Sequence, residues 1–339
     1  MRGPNFQVAV VYNLESELLK GNPNEFIALK YTENVSESLY EALLSLGYHT
    51  IRIAVKNSLE ELQQNLSDLS PENTFIFNNC DGFIGENIGS VKVVQLIEDM
   101  GFKHTGSTAG VIELCTNKAK AKERMMKCGV PTPSFQVFNE PGGDLRLNFP
   151  VIVKPLLEDA SLGIELKSVV SCEADLWERV RYVIEDYDQP AIVEEFIGGR
   201  ELAVAMWGNH QIETLPISED DYSEIADPLQ CLLTFEAKWV AESPYYQNIK
   251  ARCPALLSYE SERCIESVAI DTFRAMGLRD FGRVDIRYQN NIPYVIDVNE
   301  IPDLSIESGF YRSATAAGYS YADMVDRILK LSLEREGWQ

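Results

Sequence analysis

The sequence predicts an α/β (α+β) protein built from three units, on three observations. Strand-like apolar runs alternate with helical periodicities over roughly the first hundred residues, the pattern of an open α/β sheet. Beyond "TNKAKAKERMMKCGVPTPSF" the texture changes to strands joined by Gly-rich bends. The length, 339 residues, exceeds one small core and suits two or three domains. Boundaries are expected near 110 and 198, giving units of 1–110, 111–198 and 199–339.

The elements follow in order. "FQVAVVYNL" (Phe6–Leu14) is a buried strand pattern. After a polar loop, "VSESLYEALLSLGY" places Val35, Leu39, Leu43 and Leu46 at helical spacing, with Gly47 as the stop. "HTIRIAV" reads as a second strand, "LEELQQNL" as a helix, "NTFIFNNCDG" as a third strand with a polar end, and "SVKVVQLIEDMGF" as another helix. "FPVIVKPLLEDASLGIELKSVV" and "AIVEEFIGGRELAVAMWGN" are strand pairs around bends. No tandem repeat or low-complexity tract interrupts them.

Composition narrows the partners. A hydrophobic fraction of 45% and a charged fraction of 24% are those of an ordinary soluble protein. The formal net charge of −22 argues against nucleic acid or an anionic membrane, but not against a polyphosphate held by a few lysines and a metal. The 7 cysteines are scattered without a CxxC pair, so neither a zinc site nor a disulfide framework is indicated. Met1–Leu14 carries no signal-peptide core and no run approaches membrane-spanning length. A reduced, cytoplasmic, soluble protein is expected.

The chemistry concentrates near the C-terminal end. In "YVIDVNEIPDLS" (Tyr294–Ser305), Tyr294, Val295, Ile296 and Val298 read as a buried strand, yet Asp297 and Asn299 share one face of it. "FGRVDIRYQNNIPYVIDVNE" reads as a hairpin turning at Gln-Asn-Asn, which sets Asp285 opposite Asp297. Two carboxylates and an amide oxygen suit magnesium with substrate phosphates. The bland alternative pairs Arg283 or a lysine with one aspartate and leaves the other to solvent. Lys154, at the end of a strand, precedes a bend with Ser161 and Gly163 that could offer N–H groups to phosphate; a merely solvated lysine is the alternative. Around Gly198-Gly199, backbone near Glu195 and Ile197 could read an adenine and Glu201 a ribose, or the stretch is an ordinary hairpin with charged ends. Lys238, between apolar neighbours, calls for an anion. His49, His104 and His210 lack metal spacing and read as surface or core residues. Neither a P-loop nor a GxSxG elbow is present.

Taken in order, "HTGSTAG", "TNKAKAKERM", "VIVKPLLEDASLGI", "VEEFIGGREL", "TFEAKW", "ARCPALL", "GRVDIRY" and "DVNEIPDLSIES" resemble the ATP-grasp superfamily and, within it, the D-alanine–D-alanine ligases. The resemblance covers most of the chain. It implies a three-domain ATP-grasp fold with ATP between the central and C-terminal domains. It places Lys118 and Lys154 on phosphates or adenine, Lys238 on the phosphates, and Ser161 and Gly163 in a phosphate flap. Glu194, Glu195, Phe196 and Ile197 would line the adenine pocket, with Glu201 on the ribose. Asp285, Asp297 and Asn299 would hold one or two magnesium ions, manganese being an alternative. Arg283 would stabilise an oxyanion, with Lys238 and Ser308 as its catalytic companions. Small-molecule substrates and a homodimer are part of the same expectation.

The departures from that pattern fall where D-alanine would bind. Ala160 stands in place of the serine before the flap serine, and Trp239 in place of the tyrosine after the "EAK" lysine. "DGFIGENIG" replaces "HGxxGEDG", so Asp81 stands in the histidine position; Pro302-Asp303 replaces Pro-Gly, and Asp297 the usual glutamate. The chain also looks similar to the D-alanine-ligase-like enzymes of mycosporine-like amino acid biosynthesis, which join an amino acid to mycosporine-glycine through an enol-type oxygen. The expected activity is therefore an ATP-dependent C–N ligase on that acceptor. A dipeptide-forming ligase and an inactive nucleotide-binding module are the alternatives.

Overall fold

The computed structural model describes residues 6–14, 22, 26–56, 58–82 and 88–338. Three sheets organise it. The first, of parallel strands in the order β2-β1-β3-β4, is built from β1 (Gln7–Asn13), β2 (His49–Val55), β3 (Thr74–Asn79) and β4 (Lys103–His104). It alternates with α1 (Phe26–Ser45), α2 (Leu59–Ser67) and α3 (Gly89–Asp99). Period-two alternation divides β1 between two cores: Val8 and Val10 join Leu39 and Leu43 on one face, whereas Ala9 and Val11 join Leu62, Val93 and Ile97 on the other. Of the helical stripe expected before Gly47, Val35, Leu39 and Leu43 are buried, while Leu46 is exposed beyond the end of α1.

Two helices, α4 (Ala109–Thr116) and α5 (Lys118–Lys127), lead to the second sheet. Its order is β5-β8-β6-β7, from β5 (Phe135–Phe138), β6 (Val151–Pro155), β7 (Val169–Val170) and β8 (Ala191–Glu195). The intervening α6 (Glu173–Tyr187) buries Leu176, Val180 and Val183 against it.

The third sheet is antiparallel, with the order β12-β11-β9-β13-β14 and β10 paired to β9. Its elements are β9 (Arg200–Gly208), β10 (Ile212–Thr214), β11 (Ser218–Asp221), α7 (Phe235–Trp239), α8 (Pro244–Asn248), β12 (Lys250–Arg252), α9 (Tyr259–Met276), β13 (Asp280–Gln289), β14 (Ile292–Asn299), α10 (Gly309–Ala316) and α11 (Tyr321–Glu336). Leu202, Val204, Met206, Val284 and Ile286 face α9, which answers with Ile265, Ala269 and Phe273. Of the alternate residues, Glu201, Arg283, Asp285 and Arg287 face the cleft. Trp207, Phe281 and Phe310, with Met324 and Ile328 of α11, continue into the core of the first sheet, which ties the two ends of the chain together.

The hairpin of β13 and β14 turns on two residues, Asn290 and Asn291, both in the left-handed region (φ 52° and 62°), as a primed turn demands. β14 is irregular. Asp285 faces Asp297 but Ile286 faces Val295, so Ile296 is an extra residue in the strand. That bulge lets Val295 and Val298, three apart, both reach the α9 core while Asp297 and Asn299 point the other way. The expectation of Tyr294 and Ile296 as buried strand residues is corrected: both are partly exposed, and Ile296 lines the cleft.

The ordinary hairpin weighed for Gly198-Gly199 is also excluded. β8 belongs to the second sheet and β9 to the third, so the chain crosses between them there. Gly199 (φ 80°) makes the crossing, and a Cβ on it would meet the Tyr288 carbonyl oxygen at 2.3 Å.

Candidate active site

One cleft between the second and third sheets collects most of the expected residues. Lys118, Lys154, Ser161, Glu194, Glu195, Phe196, Ile197, Glu201, Lys238, Arg283, Asp285, Asp297 and Asn299 all line it. Gly163 does not; it packs beneath the flap, where a Cβ would lie 2.6 Å from Pro155 Cγ. Ser308 lines an adjoining cavity, where it caps α10 by accepting the Tyr311 N–H at 3.1 Å.

On the second-sheet side, β6 delivers Lys154, whose Nζ donates to Glu194 Oε2 at 3.0 Å. Lys122 Nζ approaches the same oxygen at 3.3 Å and donates to Thr132 Oγ1 at 2.9 Å. Although burial opposes it, Lys122 and then Lys154 hold Glu194 below the usual carboxylate range, and burial pulls the Lys122 ammonium down to about 8. Glu194 Oε1 is buried without a hydrogen-bond partner. Lys122 was missed from the sequence, although it lies one turn after Lys118 on the same face of α5, a spacing visible in "KAKAK".

The N-terminus of α5 aims Lys118 at the third sheet: its Nζ lies 3.3 Å from Asp159 Oδ1 and 3.7 Å from Asp297 Oδ1. Burial opposes the Lys118 charge, but Asp297 and Asp159 more than restore it and raise its pKa. Arg283 grips Asp285 with two hydrogen bonds of 2.7 and 2.8 Å, so the arginine pairing weighed as the alternative is present. It does not exhaust the carboxylate, which offers about four lone-pair positions. Asn299 donates its amide N–H to Asp285 Oδ2 at 3.1 Å.

Among the described residues no three His, Cys, Asp or Glu side chains are grouped to hold a metal. Any ion here rests on two carboxylates and an amide. Asp285 and Asp297 stand directly opposite each other with Asn299 on the same face. Such an all-oxygen set fits magnesium, which takes one or two carboxylates together with substrate phosphates.

The flap is strained where it turns over the cleft. Ala160 and Ser161 are consecutive non-glycine residues at φ 53° and 62°, a conformation that costs on the order of 1 kcal/mol or more each. Its far end is anchored by Arg179, which donates to the Gly163 carbonyl oxygen at 2.6 Å and to Glu165 Oε2 at 2.8 Å. Its near end is held by Trp239, whose indole N–H donates to the Ala160 carbonyl oxygen at 3.2 Å. Tyr31 of α1 packs edge-on against Trp239 and hydrogen-bonds Glu307, so three parts of the chain meet over the flap. Lys238 lies 5.1 Å from the Trp239 ring centroid. Burial, and then Arg283, lowers its pKa.

Glu201 is held by Arg287 at 2.6 Å and by Tyr222. Asp81 opens into a neighbouring hollow with Trp239 and Asp303. The rest of that segment, residues 83–87, lies outside the described residues. Asp303 accepts from the Ser305 N–H at 2.8 Å. His104 is buried in a network with Glu98 and Arg279, while His49 and His210 are exposed.

Comparison with known proteins gives the family and the fold. A family model described as D-ala D-ala ligase C-terminus matches residues 127–330. "Uncharacterized protein y4sG" of Sinorhizobium fredii is 34% identical, over 89% of this chain and 88% of that protein. The D-alanine–D-alanine ligase of Carboxydothermus hydrogenoformans is 30% identical over 88% of this chain and 92% of that enzyme. The structure of the Bacillus anthracis D-alanine–D-alanine ligase complexed with ATP superposes with a TM-score of 0.73 at 19% identity, covering 97% of this chain and 98% of that one. That likeness shows a shared fold.

Proposed function

The chain belongs to the D-alanine–D-alanine ligase family of ATP-grasp enzymes, which form carbon–nitrogen bonds, and from that premise we propose that it activates an acceptor oxygen with ATP and joins the acceptor to the amine of an amino acid. The observation that carries the proposal is the convergence of Lys118, Lys154, Lys238 and Arg283 with Asp285, Asp297 and Asn299 on one cleft. The four cations share that cleft with the carboxylates of Asp285 and Asp297, so a polyphosphate arriving with magnesium would find partners for both.

Lys154 and Lys238 would balance the phosphate charge, and Lys118 would bridge from Asp297 toward the nucleotide. Glu194–Ile197 would border the adenine and Glu201 the ribose. Asp285, Asp297 and Asn299 would hold magnesium, whose charge would offset that of the transferring phosphoryl group. Arg283, fixed by Asp285, would face the oxyanion, with Ser308 at the edge of the substrate space. The Trp239–Ala160 contact would close the flap and keep water from the activated acceptor. The same reading includes three domains divided near 110 and 198, a homodimer and a cytoplasmic setting; no helix among the described residues is long and apolar enough to cross a membrane.

For the acceptor, the reading is mycosporine-glycine, activated at its enol-type oxygen. Ala160 offers no hydroxyl, Trp239 spends its N–H on the flap backbone, and both border the hollow that also holds Asp81 and Asp303. A flat indole wall suits a ring better than D-alanine. Dipeptide formation is the second reading, favoured by 28–30% identity to D-alanine–D-alanine ligases over most of the chain. ADP release from the purified protein, supplied with ATP, mycosporine-glycine and an amino acid or with ATP and D-alanine, distinguishes them.

A further inference from the structure

The cleft face of the third sheet does not stop at the aspartate pair. Asp297, Asp285, Ala203 and Ser218 stand in register across β14, β13, β9 and β11. Two residues further along β11, on the same face, Asp220 stands opposite Glu201, with Ala251 of β12 on its other side. Ala203, Ala237 and Ala251 leave room above this part of the sheet, and the result is the cavity of about 590 Å³.

Two groups in that cavity, Arg312 and Asp220, act on each other through space but have no ion-pair contact. Arg312 enters from α10 and donates to Ser218 Oγ at 3.1 Å and to the Glu307 carbonyl oxygen at 3.3 Å, both neutral acceptors. Among the described residues no carboxylate pairs with it, and no donor reaches the Asp220 carboxyl. Glu201, the like charge opposite, is already answered by Arg287 and Tyr222. Ser218, which Arg312 holds, and Asp220 lie two residues apart, about 7 Å along a strand. An ammonium and a carboxylate on one carbon offer each of the two groups a charge-assisted hydrogen bond from a single small ligand.

We propose that this cavity docks the amine-donating amino acid as a zwitterion, with Arg312 on its carboxylate and Asp220 on its ammonium. The inference rests on the ligase reading and adds to it the two side chains that select the donor. Neither lines the nucleotide cleft, yet the cavity shares Lys238, Arg283 and Asp285 with it, so a docked donor abuts the reacting centre. Burial, and then Glu201, pushes the Asp220 carboxyl up to about 7, a strain that an ammonium beside it relieves.

Calorimetric titration of the full-length protein tests this, with and without a non-hydrolysable ATP analogue and magnesium. The probes are glycine, serine, ethylamine and propionate. The wild type should bind an amino acid at least 10-fold more tightly than ethylamine or propionate. Arg312→Met should weaken amino-acid binding at least 10-fold and erase the preference over ethylamine, and Arg312→Lys should restore part of it. Asp220→Asn should erase the preference over propionate. Unchanged affinity for the analogue in each variant reports an intact fold. Wild-type amino-acid affinity in both Arg312→Met and Asp220→Asn, or no amino-acid binding by the wild type, overturns the inference. Either result leaves the ligase reading standing if ADP release still requires an amine, whereas failure to bind the analogue counts against the ligase reading itself.

Discussion

Replacing Asp280 tests how the cleft is held together. This carboxylate is fully buried and in the left-handed region (φ 65°) at the start of β13. It accepts from the Gly106 N–H at 2.8 Å, Asn209 at 3.1 Å, Ser332 at 2.7 Å and Arg335 at 2.9 and 2.8 Å. One side chain thus joins the segment after the first sheet, the third sheet and the C-terminal helix. Removing one partner of a buried ion pair costs about 3–5 kcal/mol. Arg335 keeps 15% of its side-chain surface exposed and can partly rehydrate, so Asp280→Ala should cost about 3 kcal/mol, near the lower end. At about 2 °C per kcal/mol for a large chain, Tm should fall by about 6 °C. Burial raises the Asp280 pKa, but Arg335 more than offsets it and the net shift is downward. A carboxylate with a depressed native pKa contributes fully above its unfolded value of about 3.9, and the contribution fades as pH falls through the native value. The stability gap between wild type and Asp280→Asn should therefore be constant from pH 5 to 7 and narrow below pH 4. Urea unfolding across that range measures it. A cost of Asp280→Ala below about 1 kcal/mol at pH 7, or a gap that widens on acidification, would refute the reasoning.

Three further outcomes are expected. Lys154→Met and Lys238→Met should each lower the rate of ADP release by on the order of 10²-fold or more, because each removes a cation facing the phosphates; wild-type kinetics in both would undo the cleft assignment. Asp297→Ala should abolish turnover with the fold retained by circular dichroism, and an active variant with unchanged magnesium dependence would remove the metal assignment. Trp239→Phe keeps a ring but loses the N–H that holds Ala160, a bond worth about 1 kcal/mol. Acceptor kcat/KM should drop roughly 5-fold with ATP KM unchanged, and an equal change in both would argue against a flap latch.

The legible parts of this molecule were those written in local pattern. Alternation announced the parallel sheet, and the Asn-Asn turn with apolar flanks announced the hairpin that sets Asp285 against Asp297. A lysine amid apolar neighbours announced Lys238. The bulge at Ile296 was not legible, because an extra residue in an apolar run leaves the composition unchanged and shows only in pairing register. Nor was the crossing at Gly199, since two strands around a glycine pair look the same whether they bond to each other or to different sheets. Lys122 reads as one more lysine on an exposed helix until β6 and β8 bring Glu194 over it. Asp220 and Arg312 lie 92 positions apart and line one cavity only because α10 returns over β11.

The most direct test of the account is ADP release by the purified protein with ATP, magnesium and paired substrates. The account predicts turnover with mycosporine-glycine that depends on a second, amino-acid substrate, and negligible release with D-alanine. Robust synthesis of D-alanyl-D-alanine, with no stimulation by mycosporine-glycine, would contradict it.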